Sequence, residues 1–184
     1  MELNEYLQNY ELKLTNLLME KAQQYQLLGN NLLQSEDLAN TWNKIAPHYL
    51  ADAIPQIAEY PAVSFAWAAY VGMACAALWD QDWQFYSHID NLYTYIRDKR
   101  GFDYMDEYIC EDILKLTQQE TKNIEDCLRS CAHTANDLIR KEELEPQSKL
   151  AFHAFARSTK AFFNIGAAIE LKRKGYKYTK VDLN

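Results

Sequence analysis

The sequence predicts an all-α protein, a single-domain bundle of about seven helices around a central, nearly uncharged, alanine-rich helix at residues 62–79. Three observations carry this. Apolar residues recur with helical spacing from end to end, and no stretch sustains the every-other-residue alternation of a half-buried strand. Five glycines and four prolines in 184 residues are too few for the tight turns of an all-β fold or the glycine-rich loops of an α/β fold. Finally, residues 62–79 contain no charged side chain and seven alanines, the composition of a helix that meets other helices on every side.

The elements follow in order. Residues 2–28 place Leu3, Leu7, Tyr10, Leu14, Leu17, Leu18 and Tyr25 on one stripe, and Gly29-Asn30-Asn31 supplies a stop that tolerates left-handed backbone. Ser35 is the expected N-cap of a second helix, with Glu36 and Asp37 well placed in its first turn. Trp42, Ile45, Ala46, Tyr49, Leu50, Ala53, Ile54 and Ile57 line its inner side, and Pro47 and Pro55 predict a bend or break. Pro61 suits the first turn of the third helix, which is expected to run to residue 79. Ser64, Ala68, Gly72 and Ala76 form a shallow ridge along it that allows close approach of a neighbouring backbone.

A fourth helix is expected over residues 82–99, with Phe85, Tyr86, Ile89, Leu92, Tyr93 and Ile96 inward and Gly101 as its stop. Asp103 is expected to cap a short fifth helix. The sixth, residues 118–143, spaces Ile124, Leu128, Cys131, Ala135 and Leu138 as a narrow seam. Pro146 opens the seventh, which ends near Gly175. Residues 1–174 therefore form the bundle and residues 175–184 a short basic tail.

The charge-free stretch is just long enough to cross a membrane. Its flanks argue for a buried core helix instead, because Glu59, Asp80 and Asp82 border it and no lysine or arginine occurs between Lys44 and Arg97. The acidic start lacks the features of a secretory signal. The four cysteines (Cys75, Cys110, Cys127, Cys131) have no zinc-type spacing, so a reduced cytoplasmic protein is expected. The net charge of −7 opposes nucleic-acid binding. That charge is unevenly spread: residues 149–184 carry eight bases and two acids, so an acidic body bears a basic end.

No phosphate-loop, dinucleotide, metalloprotease or nucleophile-elbow motif is present, so neither a catalytic residue nor a cofactor is expected. His48/Asp52 and His133/Asp137 share metal-compatible spacing, but their expected positions off the inward stripes argue against a metal centre. The seventh helix has a broad apolar face and one polar stripe, His153, Arg157, Lys160 and Asn164, which could bind a small anionic ligand if it faces a cavity. Asp103, Glu107 and Glu111 form a like-charged row that a counter-charge would relieve. Lys172, Arg173 and Lys174 could supply it, within the chain or from another copy. Trp79 and Trp83, in an aromatic-rich segment, complete an expected interaction surface. The leading expectation is a non-catalytic protein-interaction or scaffold module that self-associates. The alternative is a binding protein or enzyme with its pocket on the seventh helix.

Overall fold

A computed structural model describes residues 2–57 and 59–177. Among them the chain is all-helical, with α1 at Leu3–Gln24, α2 at Glu36–Ala53, α3 at Pro61–Tyr86, α4 at Leu92–Arg97, α5 at Met105–Tyr108, α6 at Gln118–Lys141 and α7 at Lys149–Arg173. A 3-10 turn, Ile54–Gln56, follows α2, and a π-helical turn, Ile109–Ile113, follows α5. This is the predicted single-domain helical bundle, with the alanine-rich helix at its centre.

Helix α3 is buried continuously from Ala68 to Leu78. Its principal neighbour is α7, and the two run parallel: Phe65 lies against Phe155 and Phe162, Gly72 against Phe163, and Asp80 accepts a hydrogen bond from Tyr176. The small-residue ridge makes this possible. A Cβ on Gly72 would lie 2.1 Å from the Phe163 carbonyl oxygen, and one on Gly166 would lie 1.9 Å from that of Ala69. Glycines on both helices therefore let the backbones touch. The phenyl groups of Phe65, Phe162 and Phe163, all fully buried, flank this contact and contribute about 1.5–3 kcal/mol each by leaving water.

Helix α2 runs antiparallel to α3. Trp79 Nε1 donates to Asp37 near the start of α2 at 2.9 Å. At its other end Tyr49 donates to the Ser64 carbonyl and Ser64 Oγ to the Ala53 carbonyl. Helix α6 is antiparallel to α1, to which it is tied by Tyr6 donating to Glu142 and Asn123 donating to the Tyr25 carbonyl. Its start is fixed by a reciprocal cap, Thr117 Oγ1 accepting from the Glu120 N–H while Glu120 accepts from the Thr117 N–H. This cap and the Arg173 guanidinium beside Glu120 hold its carboxyl below the usual range.

Several boundaries differ from expectation. Helix α1 ends at Gln24, before the predicted Gly29, because Gln26 adopts left-handed backbone with φ 61°. Pro47 is accommodated inside α2, and the break falls at the 3-10 turn containing Pro55. The expected fourth helix over 82–99 is two pieces. Asp82 takes a non-helical conformation, one further turn of helix extends to Tyr86, and α4 begins only after Asn91, whose side chain caps it by accepting from the Thr94 N–H at 2.9 Å. Residue 104, not Asp103, is the N-cap of α5. Ser148 caps α7, with Pro146 just outside it. The last seven residues of the predicted tail lie outside the described residues.

Helix α3 is long and apolar enough to cross a membrane, with a mean hydropathy of 1.5 over its best window, but 72% of that window is buried within the bundle.

Candidate functional site

The polar stripe of α7 divides along its length. His153, near its start, packs against Phe152 at a ring distance of 5.6 Å and lines none of the clefts described here. Arg157 donates to Glu11 of α1 at 2.7 Å and to Asn4 at 3.4 Å. Lys160 reaches the other oxygen of Glu11 at 2.9 Å. One carboxylate, 17% exposed, thus holds two cations and fastens α1 to α7. Further along, Lys160 and Asn164 line a cleft of about 360 Å³ bounded by Glu11, the start of α2, Trp42 and Asn43. Two of the four predicted residues therefore meet at a cleft, and the other two serve the helix contact or stand apart.

The acidic row is built by α5 and the π turn. Glu111 and its neighbour Asp112 share Arg100, at 3.2 Å each, so the relieving counter-charge comes from the α4–α5 connection. Among the described residues no ion pair joins Lys172, Arg173 or Lys174 to Asp103, Glu107 or Glu111. Asp103 is exposed and lines none of the clefts described here.

Arg173 turns inward. It donates to Glu170 at 3.2 Å, to Glu120 at 3.4 Å and to the Leu114 carbonyl at 2.8 Å, knitting the end of α7 to the start of α6. Glu170 is completely buried, and its Oε1 has no partner. Burial raises its carboxyl pKa above the usual range, with Arg173 pulling the other way. Lys172 and Lys174 remain exposed. Beside them Tyr176 is 42% exposed, and its ring lies 5.4 Å from that of Trp79. Trp79 thus joins the basic end, whereas Trp83 lies half-buried beside Tyr86 and Ile89 over α2.

A cleft of about 620 Å³ lies at this basic end, lined by Arg173, Lys174, Lys115, Asp80 and Asp112, and a second surface feature lies between α3, α5 and α6, where two adjoining grooves share Asp106 and Glu125. One, of about 330 Å³, is apolar, with Ala62, Val63, Ala66 and Trp67 of α3 facing Leu128 and Ala132 of α6. The other, of about 430 Å³, is acidic and contains Glu107, Glu111 and Cys110. The cations beside the two grooves, Lys122 at the acidic one and Arg129 at the apolar one, both pair with Asp126, at 3.1 and 3.6 Å. Asp106, Glu107 and Glu125 have no ion-pair partner among the described residues. Burial raises the Asp106 carboxyl pKa, and neighbouring Glu107 and Glu125 push it the same way. The Cys110 thiol is pushed up to about 12, chiefly by burial, which keeps it a protonated packing group.

The sequence picked out Glu107 and Glu111 but missed Asp106 and Glu125 as a pair. They lie on different helices, and only the packing of α5 and α6 beside one another on α3 unites them. It also assigned Trp67 no role. Its indole donates to the Phe102 carbonyl at 2.8 Å, which fixes the ring at the groove.

The His-Asp pairs do not form a shared site. His48 hydrogen-bonds Asn91 at 3.1 Å, while Asp52 turns to Tyr93 and Arg97 at 2.5 and 2.9 Å. His133 and Asp137 are exposed on α6. Among the described residues no group of three or more His, Cys, Asp or Glu side chains is placed to hold a metal ion. All four cysteines are free and buried.

Fold and surface together define an all-helical bundle with an acidic-apolar groove on one face and a basic, aromatic end on another. No family model, curated protein or solved structure matches the chain.

Proposed function

We propose that this protein is a protein-interaction module that self-associates head to tail, the groove between α3, α5 and α6 of one copy receiving the basic end of the next. The observation that supports this most is the sharing of Asp106 and Glu125 by an apolar and an acidic groove. A partner matched to that surface must offer cations beside an apolar or aromatic side chain. The chain itself presents such a segment, since Lys172, Lys174 and Lys177 are exposed around the half-open ring of Tyr176. Like-charged carboxylates that repel one another in the free protein gain most from such a partner.

A heterologous contact of this kind produces chains or rings rather than a two-fold dimer. Light scattering on size-exclusion fractions at micromolar protein and low salt is expected to show species larger than one chain. Raising the salt should return them to monomer, because exposed charge pairs are screened beyond roughly 10 Å at 0.1 M ionic strength. A monomer at every salt concentration contradicts the proposal.

A further inference from the structure

We infer that the junction of the two grooves, where Asp106, Glu125 and the phenol of Tyr70 meet, is a pocket for a single ammonium group on an apolar stem, filled by a lysine side chain from the basic end of a second copy. Its occupant rests on the head-to-tail association proposed above, its chemistry on the groove alone.

Charge decides the sign of the ligand. Asp106, Glu107 and Glu125 have no ion-pair partner among the described residues, whereas Glu111 is held by Arg100. The two cations in the lining, Lys122 and Arg129, are both paired with Asp126. Three carboxylates are therefore uncommitted and no cation is, so the surface attracts a positive group and repels a negative one.

Tyr70 supplies the independent observation. It is only 3% exposed, and its ring stands edge-on to Trp67 with centroids 5.7 Å apart, on the wall of the apolar groove. Its hydroxyl has no hydrogen-bond partner among the described residues. The groups that act on the hydroxyl show where it points. Burial raises its pKa above the usual range, Cys110, Glu125 and Asp106 raise it further, and Arg129 lowers it. Each of these four residues lines one groove or the other, and the phenol is directed to the place where the grooves join. Buried hydroxyls are normally hydrogen-bonded, and a group entering the groove can supply the missing partner.

An ammonium fits this set of acceptors. It has three N–H donors, and the Tyr70 oxygen and the Asp106 and Glu125 carboxylates offer three acceptors. The stem behind it finds Trp67, Val63, Leu128 and Ala132 in a space of about 330 Å³, the kind of apolar wall along which a lysine chain lies while its charged end stays polar. The basic end favours lysine over arginine as the source. Lys172, Lys174 and Lys177 are exposed there, whereas the guanidinium of Arg173 is committed to Glu170, Glu120 and the Leu114 carbonyl.

The test uses full-length, nitrogen-labelled Lys172→Gln/Lys174→Gln protein, whose own basic end no longer competes for the groove. Hexylammonium chloride is titrated against the Trp67 indole N–H signal, which the Phe102 carbonyl holds at the groove. Hexanol controls for the stem and sodium chloride for ionic strength. The amine is expected to give a saturable shift with an affinity about tenfold above that of hexanol, or 1.4 kcal/mol, and the salt none. Tyr70→Phe, which keeps the ring, and Asp106→Asn should each weaken amine binding about tenfold. The pocket is overturned if the amine shifts Trp67 no more than hexanol does, or if both substitutions titrate like the parent. Light scattering on the unmodified protein separates this inference from the association itself. Saturating amine should disperse the assembly. Assembly without amine binding overturns the pocket alone, and amine binding by a protein that never assembles overturns the second copy as the source of the lysine.

Discussion

Gly166→Ala is expected to destabilise the protein by about 3 kcal/mol, the upper part of the usual range for overpacking a core. Helix propensity predicts the opposite sign, since alanine is favoured over glycine inside a helix by about 1 kcal/mol. Sterics decide because the new Cβ would sit 1.9 Å from the Ala69 carbonyl oxygen and within 2.8 Å of its Cα. Those are backbone atoms, so no side chain can rotate away and α3 and α7 must separate. Separation would loosen Phe162, Phe163 and Phe65 along the same seam. Gly29 is the control, because a Cβ there meets nothing within 4 Å, and Gly29→Ala should alter stability by no more than about 0.5 kcal/mol. Urea unfolding of both variants measures the contrast.

Arg173→Ala is expected to cost about 3 kcal/mol at neutral pH, because it leaves the buried Glu170 carboxylate without its ion partner. The loss should shrink on acidification. Burial already raises the folded-state pKa of Glu170, and Arg173 is the principal group lowering it. Without Arg173 that pKa rises further. The folded protein then binds the proton more tightly than the unfolded chain does. Stability therefore falls as pH rises from the ordinary carboxylate value through the folded one, and recovers as pH is lowered through the same window. Thermal unfolding across mildly acidic to neutral pH should show this slope in Arg173→Ala. Adding Glu170→Gln should flatten it, and a slope that persists in the double variant would place its origin elsewhere.

The sequence carried the fold further than the sites, for identifiable physical reasons. The buried position of residues 62–79 was legible because an element surrounded by neighbours loses its polar face altogether, and the ridge containing Gly72 marked where a backbone could approach. Its partner Gly166 was not legible, because a lone glycine within an apolar stretch does not say what it faces. The failed helix over residues 82–99 has a local cause, since Asp82 adopts a non-helical conformation that periodicity cannot register.

At the surfaces, the stripe on α7 drew attention to Lys160 and Asn164 but gave Arg157 the same standing, although Arg157 serves the α1–α7 contact. Trp42 lay on an apolar stripe and read as core. It is core by burial, 4% exposed and packed against Tyr49 and Phe163. Asp106 and Glu125 come together only through tertiary packing. The inward turn of Arg173 likewise reflects the buried Glu170, which helical spacing does not flag.

The most direct test of head-to-tail association is complementation between two variants, each defective on one side of the contact. Glu107→Gln/Glu125→Gln weakens the groove and keeps the basic end, while Lys172→Gln/Lys174→Gln does the reverse. Light scattering at low salt should find each variant monomeric alone and a one-to-one dimer in the mixture, because a single competent groove then meets a single competent end. Variants that each assemble like the unmodified protein, or a mixture that stays monomeric while the unmodified protein assembles, would contradict the proposed contact.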